Sequence, residues 1–176
     1  IYDKYACTIA ITPADGAHIQ NHAPHTRVSV IPMTLAAVPL ANTYAGPAIF
    51  TTGPNPFNVQ GYLYFVGRVL PLLRERVPDF QLDVTGTAAQ MVEPAEGVTL
   101  CGFLQNLTSL YAAARFMVCP ILGKTGQLVK ITEAMAHGLP VVALERVAEG
   151  SPVCHGETGY IARNAHEFAE YCARLW

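Results

Sequence analysis

Lys124 to Pro140 reads KTGQLVKITEAMAHGLP, a small-residue loop that runs into a helix with a sharply marked end. Leu128, Ile131 and Met135 recur at helical spacing and are expected to face a core, while Lys130, Glu133 and His137 fall on a second stripe. Gly138 and Pro140 stop the helix. Thr125 is the expected N-cap hydroxyl, and Gly126 lets a ligand approach the backbone closely. The N–H groups of such a helix start point outward at the positive end of the dipole, which suits a phosphate, and Lys130 one turn in adds a full charge. Glu133, a further turn in, is placed to accept hydrogen bonds from sugar hydroxyls. The same two residues read equally well as an exposed helical ion pair at a spacing of three, worth a few tenths of a kcal/mol.

Outward from this helix the chain alternates strands and helices. Immediately upstream, RFMVCP is a buried strand that delivers Ile121 to Gly126 to the helix, and strand, glycine-containing loop, helix is the order phosphate binding requires. Immediately downstream, VVAL (141–144) is an unbroken apolar run that fits a parallel sheet covered on both faces. Further back, AIFTT (48–52) is expected to open the main sheet, with a tight loop of Gly53, Pro54, Asn55 and Pro56 at its C-terminal end. Loops at that end of an open α/β sheet line the ligand crevice. Asn58 is the expected cap of a helix running to about Val77, kinked at Pro71. QLDVTG (81–86) and VTLCG (98–102) are the next strands, with a loop between them, and LTSLYAAA is a short helix. Glu145 to Cys154 reads as a loop, GYIA (159–162) as a last strand and HEFAEYCARLW as an amphipathic helix. The pattern predicts an α/β fold with a Rossmann-like, doubly wound, mostly parallel sheet. There is no Gly-x-Gly-x-x-Gly, so a dinucleotide oxidoreductase has little support.

The first 35 residues carry a strand, CTIAIT, a short helix starting near Pro13 to Asp15, and a second strand, and residues 36–47, rich in Ala and Pro, read as a linker. His18 and His22 are four apart on that helix, but Ile19 stands where a zinc protease motif needs Glu, so they read as surface histidines. The five cysteines form no Cys-x-x-C pair, which speaks against a disulfide framework and a zinc site. Charged residues are 14%, against about 25% in typical soluble domains, and mean hydropathy is positive. The apolar surplus is expected to face a further domain. A net charge of −2 without a basic cluster speaks against nucleic acid as a partner.

The run GKTGQLVKITEAMAHGLPVVAL resembles the C-terminal-domain signature of the retaining glycosyltransferases of family 4, in the branch written G-G-G-T-R-L-K-x-L-E-A-M-A-x-G-x-P-V-V. FTTGPNPFNVQGYLYFVGRVLPLLRERVPDFQLDVTG upstream and RVAEGSPVCHGETGYIARNAHEFAE downstream extend the resemblance to roughly residues 27 to 176. It implies the C-terminal half of a two-domain GT-B architecture. Residues 1–35 would then be the end of the N-terminal domain and the crossing strand, and 48–176 the donor-binding domain, the whole being a fragment of a longer enzyme.

The resemblance further implies transfer of a sugar from a nucleotide-diphosphate donor to a glycan or lipid-linked acceptor held mainly by the other domain, with no cofactor and no metal. It assigns the donor site to Gly53, Asn55, Phe103, Lys124, Thr125, Gly126, Gln127, Lys130 and Glu133, with Lys130 and Glu133 in the catalytic role. Gly102, Phe103 and Leu104 are similar to the family's post-strand turn that meets the nucleotide base. Two positions depart from the family. Thr125 stands where a paired-glutamate motif has its first Glu, and GPNPFNVQ lacks the Arg and Lys that many members use for the diphosphate. A catalytically inactive nucleotide-sugar-binding module and a nucleotide-sugar epimerase on the same fold are therefore the alternatives. The expected location is the cytoplasm, and the reading is compatible with peripheral membrane association of the whole protein.

Overall fold

Two sheets of unequal size carry the chain in the computed structural model, which describes residues 1–38, 40–123 and 126–176. The small one pairs β1 (Cys7–Ala10) with β2 (Arg27–Val30) in parallel, joined through α1 (Pro13–His22). Thr12 starts α1: its hydroxyl accepts from the Asp15 amide at 3.1 Å and donates to the Asp15 carboxylate at 2.7 Å, with Pro13 at the first helical position. His18 and His22 are exposed on this helix. The described residues between Ile31 and Pro47 form neither helix nor strand.

The large sheet has six parallel strands: β3 (Ala48–Thr52), β4 (Leu82–Gly86), β5 (Val98–Gly102), β6 (Met117–Cys119), β7 (Val141–Leu144) and β8 (Gly159–Ala162). Their order is β5-β4-β3-β6-β7-β8, so the winding reverses between β3 and β6, where Ile49 lies opposite Met117. This is the expected Rossmann-like, doubly wound sheet. Every residue of β6 and β7 is buried, as their apolar runs require when helices cover both faces. Right-handed crossovers put the helix after β3 on one face and those after β5 and β6 on the other. On the first face Phe65, Phe80 and Phe168 are fully buried, with the Phe65 ring 6.1 Å from each of the others. Each such ring contributes about 1.5–3 kcal/mol by leaving water.

The helix after β3 differs from expectation in both its cap and its course. It is α2 (Pro56–Tyr64), a π turn over Phe65–Val69, and α3 (Leu70–Arg74). Pro71 supplies no N–H, and its ring would strike the carbonyl four residues back, so the widened turn just before it replaces a simple kink. The cap is Asn55, whose Oδ1 accepts from the Phe57 amide at 2.9 Å, with Pro56 at the first helical position. Asn58 is instead buried inside α2, its amide donating to the Gly53 and Asn55 carbonyls at 3.2 and 3.1 Å.

Thr87–Gln90, between β4 and β5, forms a 3-10 turn pinned by the Ala88 amide on Thr52 Oγ1. Gly86 makes that corner possible: its φ is +93°, and a Cβ there would lie 1.9 Å from the Thr52 carbonyl oxygen. The remaining helices are α4 (Thr108–Ala113), α5 (Val129–Ala136), α6 (Glu145–Ala148), set in a segment expected to be all loop, and α7 (Ala165–Leu175), capped by Asn164. Among the described residues, no helix is long and apolar enough to cross a membrane.

Candidate functional site

Strand order places the site before any side chain is considered. In an open α/β sheet the crevice lies beyond the C-terminal strand ends at the reversal point, here above β3 and β6. The Gly53–Asn55 loop leaves β3 at this point, and the segment after β6 leads from it into α5. Ile131 and Ala134 are buried beneath α5, while Leu128 and Met135 are partly buried against the same core, as their spacing predicts.

The polar stripe of α5 turns toward the crevice and does not form an ion pair between Lys130 and Glu133. Lys130 reaches across the end of β3. Its ammonium donates to the Thr51 carbonyl at 2.6 Å and to Asn58 Oδ1, and lies 4.9 Å from the Phe50 ring centroid. Burial holds its pKa below the usual lysine value. An ammonium has three N–H donors, so two protein acceptors leave one for a ligand. Lys130 also lines a hollow of about 80 Å³ with Asn55, Asn58 and Gly123 and with the apolar Phe57, Ile121 and Leu128.

Glu133, one turn on, is partly buried beside α4. Next to it is Tyr111, which reading the sequence as a plain short helix missed. Tyr111 is fully buried and stacks on His137 with centroids 4.4 Å apart and planes 8° apart, and His137 Nδ1 is 2.8 Å from the Glu133 carbonyl. Burial, then the neighbouring Glu133 carboxylate, push the Tyr111 phenol well up. A lone aromatic in the alanine-rich LTSLYAAA was the available signal.

The start of α5 is where expectation and structure part. The helix opens at Val129, with Leu128 at the cap position and no side-chain cap. Gly126 therefore lies in the loop before the helix, with φ +68°, and a Cβ there would sit 3.0 Å from Ile11 Cδ1. Lys124 and Thr125, expected as a phosphate cation and as the cap, lie outside the described residues. Gln127 is buried and committed to protein contacts. Its Oε1 accepts from the Met33 amide at 2.8 Å, and its Nε2 donates to the Met33 carbonyl at 3.1 Å and to Thr132 Oγ1 at 3.2 Å.

Gly123 and Gly126 line a cavity of about 460 Å³ that faces Thr12 and Asp15 at the start of α1 and Arg146 and Glu149 on the other side. Gly53 and Asn55 are at the crevice, Asn55 exposed although its side chain caps α2. Phe103, just after β5, is 70% exposed, an aromatic face open to a planar ligand.

The doubly wound sheet of this order, with Lys130 and Glu133 on the helix after the reversal point, matches the Rossmann-like domain of a GT-B glycosyltransferase. The family model described as "Glycosyl transferases group 1" matches residues 46–176, and the chain belongs to that family. A point mutant of TarM from S. aureus, in a complex with fondaparinux, alpha-GlcNAc-glycerol and UDP, superposes with a TM-score of 0.81 at 17% identity, over 99% of this chain and 37% of TarM. Sucrose-phosphate synthase from Thermosynechococcus elongatus superposes at 0.73 with 21% identity, over 99% of this chain and 50% of the synthase. At these identities the likeness is one of fold. An uncharacterized 44.6 kDa protein in the cps region of Klebsiella pneumoniae is 24% identical over 128 residues, 66% of this chain. The chain spans 33% of that relative's length.

Proposed function

We propose that this chain is the donor-binding part of a retaining glycosyltransferase, which moves a sugar from a nucleoside-diphosphate sugar to a hydroxyl of a glycan or lipid-linked acceptor. The bond from the anomeric carbon to the diphosphate oxygen breaks, the diphosphate leaves with the electron pair, and the acceptor oxygen bonds to the anomeric carbon and passes its proton to the departing diphosphate. The observation that carries this reading is the placement of Lys130 and Glu133 on one side of α5 at the reversal point of the sheet. Charge grows on the leaving diphosphate as the bond breaks, and the remaining Lys130 donor would stabilise it there. Arrival of that anion would also offset the desolvation of the ammonium.

Glu133 would accept from the ribose hydroxyls, and Phe103 would meet the base. The roles of Lys124 and Thr125 are carried by the resemblance alone. No metal is needed in this scheme. UDP is the first nucleotide to test, because UDP is in the TarM complex and in that of the pneumococcal O-GlcNAc transferase GtfA, whose fold matches at a TM-score of 0.72. Residues 1–35 would close the cleft from the other domain, and the cytoplasm is the proposed location.

A catalytically inactive binding module is the second reading, favoured by Thr125 at the first motif position and by the absence of a cation in GPNPFNVQ. A thermal-shift panel with UDP, GDP, ADP and CMP tests the donor site. Saturation at about a hundred times the dissociation constant adds roughly 2.7 kcal/mol, which raises Tm by several degrees. A rise with one diphosphate and a smaller one after Glu133→Ala is expected. No rise with any nucleotide would refute the donor site in this chain, while binding by a whole protein that transfers no sugar would establish the inactive module.

A further inference from the structure

Two buried hydroxyls beside Glu133 lack well-formed partners. Thr51 Oγ1 and the Tyr111 hydroxyl belong to side chains only 6% and 0% exposed, and neither has a partner at full hydrogen-bond distance and geometry in the free protein. Buried polar groups are overwhelmingly paired, and leaving one unpaired costs about 1–3 kcal/mol. The three groups lie in near contact, with long, weak hydrogen bonds from the phenol to Thr51 and Glu133 that already bear on its ionisation.

The Tyr111 ring cannot turn away, since it is stacked on His137 and its carbonyl is held by the Asn42 amide at 2.8 Å. Thr51 sits in the middle of the sheet, its own carbonyl taken by Lys130. Glu133 alone of the three borders solvent, so a change of its side-chain rotamer, with a small approach of the Thr51 and Tyr111 hydroxyls, is the movement that can complete the set.

We propose that Tyr111 is a positioning residue for Glu133: with nucleotide bound, Thr51 donates to the Tyr111 hydroxyl, which donates to one carboxylate oxygen and leaves the other turned to the ribose. This rests on Glu133 being the ribose acceptor. A carboxylate fixed by a neutral donor keeps its charge and loses its rotamer freedom, so the ribose meets a prepared acceptor. A site built this way rejects a sugar without hydroxyls, because the carboxylate it prepares is then left unpaired. Lys130 bears on the same strand end through the Thr51 carbonyl, so the diphosphate and ribose contacts share one anchor on β3.

The test is calorimetric titration of the protein and its Tyr111→Phe variant with UDP and with 2′,3′-dideoxyuridine diphosphate. The protein is expected to prefer UDP by roughly ten- to a hundredfold, the range of a hydrogen bond to a charged group. In Tyr111→Phe that ratio is expected to fall to within about threefold, with the affinity for the dideoxy compound and the Tm unchanged, because the lost hydroxyl had no well-formed partner in the free protein. A full ratio retained in Tyr111→Phe would overturn the inference and leave the ribose role of Glu133 standing. A ratio near one in the unaltered protein would remove that role and the inference with it. Thr51→Val, which keeps shape and removes the first hydroxyl of the relay, is expected to lower the ratio severalfold. An unchanged ratio there would refute the relay even if Tyr111→Phe failed to fold.

Discussion

Replacing Gln127 with leucine tests what secures the crossing segment to the large sheet. The side chain keeps its size and loses three hydrogen bonds, two to the Met33 backbone and one to Thr132. Each contributes about 1 kcal/mol net, and the Met33 amide left without its acceptor adds a desolvation penalty, partly offset by leucine's greater gain from burial. The balance is a loss of about 2–4 kcal/mol. At about 2–4 °C per kcal/mol for a chain of this size, Tm should fall by roughly 4–16 °C in a calorimetric scan. Gln127→Glu sharpens the test. Its carboxylate can still accept from the Met33 amide, but it faces the Met33 carbonyl without a donor, so its loss should be larger at pH 8 than at pH 4. A leucine variant melting within about 2 °C of the parent would show that the segment is held by its apolar contacts, and that the Met33 contacts contribute almost nothing.

Three further outcomes are expected. Lys130→Met should lower affinity for UDP by roughly ten- to a hundredfold while changing affinity for uridine by no more than about threefold, measured by calorimetric titration; equal losses would end its phosphate role. Gly86→Ala should destabilise by about 3 kcal/mol or more in urea unfolding, because the new methyl meets the Thr52 carbonyl in a backbone region closed to alanine. Asp83 supplies a pH test, since burial raises its pKa while a hydrogen bond from Thr99 partly restores it. With the folded value above the unfolded one, the folded state binds more protons, so this group favours folding less as pH rises through those values. Asp83→Asn should therefore raise Tm at pH 7, and the gain should shrink below about pH 4, where both states of the parent are protonated. An equal gain at both pH values would point to packing.

The strands of the large sheet were legible because each is a short run, mostly apolar or β-branched, with Gly or Pro at one end or both. Ala48–Thr52, Val98–Gly102, Val141–Leu144 and Gly159–Ala162 have the bounds their sequences indicate. Helix starts were harder. Asn55 and Asn58 are equally good caps by type, and Pro56 decides between them by fitting only the first helical position. Glu145–Ala148 forms one helical turn with no cap residue and no repeating pattern to announce it.

At the site, the stripe of Lys130 and Glu133 was visible because α5 has one regular period. What these side chains and Gln127 meet was not visible, because Thr51 with Asn58, Tyr111, and Met33 come from three separate stretches that only the folded chain brings together. Gln127 shows the limit most clearly. Its place in the motif marks it as a ligand contact, and the fold occupies its amide with backbone from Met33.

The segment between β2 and β3 is fastened along α5 at several heights. Met33 is bonded to Gln127 before the helix, the Val38 amide to the Ala136 carbonyl at its last turn, and the Tyr44 hydroxyl to the Gly138 carbonyl beyond it. Asn42 ties the same stretch to α4 through the Tyr111 and Ala114 carbonyls. Mechanically this is a splint. A push along the axis of α5 loads every fastening at once, in shear, whereas a pull that lifts the segment from Met33 opens them one after another, as in peeling tape. The helix bearing Lys130 and Glu133 is thus stiff toward sliding and compliant toward peeling, and force arriving from the small sheet enters at the Met33 end.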